Sequence, residues 1–323
     1  MGSFLLFLFV CAGCTKELKE IDLNKSAADN GFSQLHKDGC NLVTFDWVGS
    51  SKWTFHYNEK GLADKWVIDN GDGFPEEETM IYSRDNRLIQ ANESYMGANN
   101  VYLFTYSGKR VTKVTWSTSA APDQQQVTEF TYNNKGQVTR QDDKADDIHT
   151  LMFYDRLGNT TRTDIYFGTD PYFSDIYTFD KPVRNALLLV PGIPFGFPFF
   201  GTGNFLNSRW FTSNTGLGYD NGTPIVLYNY DPSKTVFKTG LFDFPLSVTY
   251  YDNISQAPGY INLMYSCGGK GNMADDALPQ SDSKMLAAKQ PAHFGPMPLL
   301  RGSVQSIKEQ IKKLRDQSQA IKK

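Results

Sequence analysis

Five tyrosines, Tyr57, Tyr82, Tyr106, Tyr132 and Tyr154, stand 25, 24, 26 and 22 residues apart, and each sits in the same phrase. An apolar residue, any residue and Tyr are followed by turn-forming residues, then Gly or Asn, then an apolar residue. Phe55-His56-Tyr57-Asn58-Glu59-Lys60-Gly61-Leu62 is one copy and Met80-Ile81-Tyr82-Ser83-Arg84-Asp85-Asn86-Arg87-Leu88 the next. Phe104-Thr105-Tyr106-Ser107-Gly108 is shortened, and Phe130-Thr131-Tyr132-Asn133-Asn134-Lys135-Gly136 and Met152-Phe153-Tyr154-Asp155-Arg156-Leu157-Gly158 complete the set. A period this steady marks an array of supersecondary units, none of which buries its apolar face alone.

Each unit has a physical reading. The alternating residues before Tyr form a strand, a tight turn follows, and the residue four after Tyr takes a left-handed backbone conformation. Gly61, Gly136 and Gly158 do so without steric cost, and Asn86 is the next most tolerant residue type. The following stretches, such as Val111-Thr112-Lys113-Val114-Thr115-Trp116, alternate apolar and polar, as in a sheet with one wet face. Strand-like sequence resumes at 223–231, 244–252 and 260–267. The expectation is an all-β chain: an antiparallel meander of repeated β-hairpins over 33–268, forming a curved or superhelical sheet. A C-terminal amphipathic helix follows, over 303–323, with Val304, Ile307, Ile311, Leu314 and Ile321 at helical spacing behind a Ser303 cap.

The N-terminus carries an address. The apolar run Phe4 to Val10 is too short to span a bilayer but fits the core of an export signal. It closes on Ala12-Gly13-Cys14, which resembles a bacterial lipoprotein signal covering 1–13, with Cys14 as the lipidated residue. No Lys or Arg precedes Lys16, so the true translation start is expected upstream of Met1. Residues 14–32 are polar with few aromatics and read as a flexible tether, and 269–302 read as a linker. The charged residues after Cys14 resemble the sorting signals of Bacteroides-type surface lipoproteins. The repeated phrases resemble the Tyr-Asp repeats of the Rhs family, with Tyr154-Asp155-Arg156-Leu157-Gly158 the best match. From Cys14 to about Cys267 the chain resembles Bacteroides-type lipoproteins of unknown function built from such hairpins. That resemblance implies a lipid-anchored protein at the surface of the outer membrane and carries no catalytic residue with it.

Chemistry is sparse. No nucleophile elbow, His-Glu-x-x-His motif, phosphate loop or zinc cysteine pair occurs, so no catalytic residue, metal site or cofactor is assigned. Of the acidic runs, Asp69-Asn70-Gly71-Asp72-Gly73 with Glu76, Glu77 and Glu78 reads as a turn, and Asp142 to Asp147 as a solvated loop. The formal charge of -3, from 32 basic and 35 acidic residues, provides no global field for nucleic acid. Residues 187–206 set three prolines and four glycines among phenylalanines. They either plug one end of the sheet or expose Phe195, Phe197, Phe199 and Phe200 as a patch for a glycan, lipid or protein partner. Cys40 and Cys267 either close a disulfide in an oxidising compartment or stand as small buried apolar residues. These readings describe a non-catalytic binding or scaffold module at the cell surface. Their rival is a polysaccharide hydrolase using a carboxylate pair that sequence cannot select.

Overall fold

The computed structural model describes residues 40–95, 97–119, 121–145, 147–190, 209–220, 222–240 and 244–267. The signal at 1–13, Cys14, the tether at 14–32, Phe195, Phe197, Phe199 and Phe200, the linker at 269–302 and the helix at 303–323 lie outside the described residues.

The expected all-β meander is the architecture. Its strands are β1 (Cys40–Trp47), β2 (Ser51–Tyr57), β3 (Ala63–Asp69), β4 (Glu76–Tyr82), β5 (Leu88–Tyr95), β6 (Ala98–Ser107), β7 (Arg110–Thr118), β8 (Ala121–Tyr132) and β9 (Val138–Asp143). They continue as β10 (Ile148–Tyr154), β11 (Thr160–Phe167), β12 (Asp170–Thr178), β13 (Ser213–Asp220), β14 (Thr223–Asn229), β15 (Val236–Thr239), β16 (Pro245–Asp252) and β17 (Ala257–Cys267). Every neighbour pair from β1 to β14 is antiparallel, as are β15–β16 and β16–β17, and β17 returns to pair with β1. Among the described residues the sheet does not close as a continuous ladder: its far ends meet at an isolated bridge, Tyr230 to Asp252.

The turns after Tyr57, Tyr82, Tyr132 and Tyr154 are built the same way. In the β2–β3 hairpin the Gly61 N–H donates to the Asn58 carbonyl and the Asn58 N–H to the Leu62 carbonyl, while the Asn58 side-chain oxygen accepts from the amides of Lys60 and Leu62. Asn133 repeats this arrangement, and Ser83 and Asp155 supply the side-chain acceptor in their own turns. Side chains of this type bind nearby backbone amides and so hold the loop. The left-handed residue follows: φ is 75° at Gly61, 63° at Asn86, 82° at Gly136 and 88° at Gly158.

Just past each turn the register slips by one. Tyr82 faces Leu88 but Ile81 faces Gln90, leaving Ile89 as a bulge, and the same slip follows Tyr57, Tyr106, Tyr132 and Tyr154. A bulge interrupts the ladder and needs other partners for its backbone groups. The next repeat supplies one. Tyr82 donates its hydroxyl to the Ala63 carbonyl (2.5 Å), Tyr106 to Leu88 (2.8 Å), Tyr132 to Val111 (2.5 Å) and Tyr154 to Val138 (2.5 Å). Each acceptor faces the preceding Tyr across its own hairpin, and Tyr57 begins the series by donating to Leu42 in β1. Burial pushes the hydroxyls of Tyr106 and Tyr132 up to about 12, so they remain donors across the physiological range. Tyr132→Phe keeps the ring and is expected to cost about 1 kcal/mol. Urea unfolding should show a lower midpoint at unchanged slope, and an unchanged midpoint would remove the latch from the stability account.

Successive hairpins are staggered. Phe55, two residues before Tyr57, lies level through Trp66 with Glu78, four before Tyr82, and through Glu93 with Asn100, six before Tyr106. This stagger belongs to strands tilted about a curved sheet. The apolar slot of each phrase, Phe55, Met80, Phe104, Phe130 and Met152, points inward and is buried. Between β12 and β13 the chain leaves the sheet through a short 3₁₀ turn at Ala186–Leu189, and Val183, Ala186, Val190 and Trp210 enter the same core. The Trp210 ring stacks on Phe45, its indole N–H donates to the Tyr250 hydroxyl, and Tyr250 stacks between Phe211 and Tyr230.

Cys40 is disulfide-bonded and stands opposite Cys267 in the β1–β17 ladder. The bond sits where the first and last strands of the sheet meet.

Candidate functional site

Hairpin stagger sets the chemistry of the inner face. Because each hairpin climbs two residues, the level that holds Phe55 and Trp66 in β2 and β3 is occupied in β4 and β5 by Glu78 and Glu93, directly opposite each other. Glu76 lies on the same side of β4, two residues earlier. The three are 3%, 0% and 4% exposed for Glu76, Glu78 and Glu93, and their carboxyl oxygens lie within 4.8 Å of one another. Tyr102 of β6 donates its hydroxyl to Glu93 (2.7 Å) and stacks its ring on Trp116.

Like charges facing each other inside a core are unfavourable, which favours the neutral forms of Glu78 and Glu93. Burial, with the facing Glu93 second, drives the Glu78 carboxyl well above the ordinary range, against a smaller opposing pull from the Trp66 indole N–H. Glu93 is also raised by burial, offset in part by the Tyr102 hydroxyl. Oxygen ligands of this number and spacing suit a hard cation in principle, and Glu76, Glu78 and Glu93 are the residues that would hold one. A hydrolytic carboxyl pair must also meet substrate and water. Glu78 has no exposed surface and does not meet that condition.

A second polar group lies under β11 to β14. Tyr228 donates to Asp175, and burial raises the Asp175 carboxyl to about 6 against the hydrogen bonds of Tyr228, Tyr177 and Asn214. The Tyr228 ring lies over Gly216, where a β-carbon would come within 2.3 Å of it. Beside it Ser174 donates to Asp164 (2.5 Å), whose carboxylate also pairs with Arg162 (2.6 Å).

Two acidic runs depart from the sequence reading. Glu76, Glu77 and Glu78 open β4 and are not part of the turn that Asp69 to Gly73 makes before them. Asp142 and Asp143 end β9 and do not belong to a solvated loop: Asp143 is buried, and Asp142 binds Arg140 and His149 (2.8 and 2.6 Å). Gly61, Asn86, Gly136 and Gly158 all lie along one rim of the sheet, away from both interior groups.

No protein-family model matches the chain, and no curated protein matches it in sequence. Among solved structures it is similar to a porin-like protein from Bacteroides uniformis ATCC 8492, with a TM-score of 0.44 at 14% identity over 70% of this chain and 95% of the other. It is also similar to a porin-like protein from Bacteroides vulgatus ATCC 8482, with a TM-score of 0.35 at 11% identity over 69% of this chain and 97% of the other.

Proposed function

We propose that this chain is an envelope lipoprotein, held at the outer-membrane surface by lipid on Cys14, whose sheet is a non-catalytic binding or scaffold module. The observation that carries the reading is the direction of the side-chain alternation. Inward positions hold Phe55, Trp66, Phe104, Val114 and Phe130, while outward positions mix paired charges such as Lys65 with Glu77 (2.7 Å) and Lys144 with Glu129 (3.2 Å) with single apolar residues such as Ile81, Leu103 and Phe153 and form no continuous apolar belt. A barrel embedded in lipid has the opposite pattern, apolar outward. The sheet therefore stands in water, with its inner face committed to the core and its outer face and rims left to meet a partner. The Cys40 disulfide fits an exported protein, because such bonds persist in oxidising compartments.

The partner class is a surface glycan or an extracellular protein, and the assay separates this reading from hydrolysis. The mature chain is presented to a panel of surface polysaccharides, with binding and the release of reducing ends measured together. Saturable binding of a polysaccharide without cleavage is expected. Release of reducing ends by the mature chain would overturn the reading in favour of a hydrolase.

A further inference from the structure

The five repeated turns form one rim, and that rim is cationic. Lys60, Arg84, Arg87, Lys109, Arg110, Lys135 and Arg156 lie there, all exposed, against Glu59, Asp85 and Asp155. The opposite rim has the other sign, with Asp69, Asp72, Asp147 and Asp170 exposed beside Lys144. A chain with a formal charge of -3 is thus polarised along the direction of its strands.

The cationic rim is braced from turn to turn. Lys60 Nζ donates to Asn86 Oδ1 (3.1 Å), Arg87 Nη1 to the Gly108 carbonyl (2.8 Å) and Gln137 Nε2 to the Gly158 carbonyl (3.3 Å). The Arg87 and Arg110 guanidinium groups lie over the rings of Tyr106 and Tyr132 in the following repeats. Two strand spacings separate adjacent turns, so the positive groups recur every 10 Å or so. Such a row suits many weak phosphate contacts across a surface better than one enclosed anion.

The first and last residues of the sheet, Cys40 and Cys267, lie on this same rim. β1 pairs with β2 through Thr44–Thr54 and Trp47–Ser51, which places Cys40 level with the start of the Tyr57 turn, and Cys267 faces it. The roughly 25 residues that separate Cys14 from Cys40 therefore join the sheet at its positive end. We propose that the turn rim is the face this protein lays against an anionic membrane surface, with Lys60, Arg84, Lys109, Arg110, Lys135 and Arg156 meeting lipid phosphates. The proposal rests on the lipid anchor inferred above, since the anchor selects this surface over other polyanions.

The test uses the full chain carrying Cys14→Ala, so that no lipid holds it. Sedimentation with vesicles of phosphatidylglycerol in phosphatidylcholine is compared with sedimentation on phosphatidylcholine alone. Binding to the anionic vesicles only is expected, weakening as salt rises. Arg84→Glu, Lys135→Glu and Arg156→Glu together should weaken it at least about tenfold. The matched set Lys52→Glu, Lys113→Glu and Lys144→Glu changes net charge equally and should stay within about twofold. Circular dichroism melts verify that both sets fold, and Arg84→Gln, Lys135→Gln and Arg156→Gln replace the rim set if it does not. Equal loss in the two sets, or equal binding to the two vesicle types, overturns the proposal. So does tighter binding to a soluble polyuronate than to the vesicles. Acylation of Cys14 is read separately from the mass of the membrane-extracted chain; its absence removes the anchor, whereas the vesicle comparison is made without lipid and stands or falls alone.

Discussion

Replacing Cys40 and Cys267 together by alanine is expected to lower the stability of the sheet by about 2–5 kcal/mol. The size follows from where the bond lies. Most sequential neighbours in the sheet are joined by a short turn, whereas β1 and β17 are joined by none, and a bond from Cys40 to Cys267, the residue that faces it in the ladder, would close a loop of about 230 residues. Cross-linking so long a loop removes much of the freedom of the unfolded chain, while the native ladder already places the two residues opposite each other. For a body of this size the loss corresponds to a fall in Tm of about 10 °C. Calorimetry with and without reductant provides an internal control: reductant should move the native chain to the variant's Tm and leave the variant unchanged. A variant that melts with the native protein would mean that the ladder and the Tyr57 latch alone hold the seam.

Raising the pH from 5 to 8 is expected to destabilise the protein, and Glu78→Gln should remove the largest part of that slope. Folding raises the carboxyls of Glu78, Glu93 and Asp175 above their ordinary values of 4.5, 4.5 and 3.8, with burial the leading cause in each case. A group raised by folding binds its proton more tightly in the native state. Its contribution is complete below the unfolded value and is lost as pH climbs through the folded one, which for Asp175 is about 6. Acids lowered by surface contacts, such as Asp142 beside Arg140 and His149, act in the opposite sense, and their contribution is lost only in more acidic solution. Glu78→Gln keeps the shape of the side chain, cannot ionise and no longer opposes Glu93. It should stabilise the sheet at pH 8 by about 1–3 kcal/mol and leave it nearly unchanged at pH 5. Urea midpoints at the two pH values decide the matter; parallel slopes for both proteins would place the titrating group elsewhere.

Much of the fold is legible because its determinants are local. The left-handed positions are visible as Gly, or Asn at 86, at fixed distances from Tyr, and the alternation of Phe55 and Tyr57 with Thr54 and His56, or of Val114 and Trp116 with Lys113 and Thr115, declares a one-sided sheet. The hydroxyl of that same Tyr is not legible. Its acceptor lies one hairpin back and is defined only once the bulge and the stagger are known. The carboxyl cluster is hidden for a related reason. Glu76, Glu77 and Glu78 resemble any charged turn, and only their pairing with Glu93, under Trp66 and Tyr102, turns two of the three inward. Composition argues for water at these positions, and the register overrides it. The disulfide falls between these cases. Both cysteines are visible in the sequence, but the ladder that aligns them joins opposite ends of the chain.

The pairing of β1 with β17 also governs when the protein can finish folding. Until Cys267 has been synthesised, β1 has a partner on one side only and presents an open row of backbone donors and acceptors to its surroundings. A contact between such distant positions forms late and slowly. The nascent chain must therefore be shielded from sticking to its neighbours for nearly its whole passage, and maturation begins only when the last strand arrives.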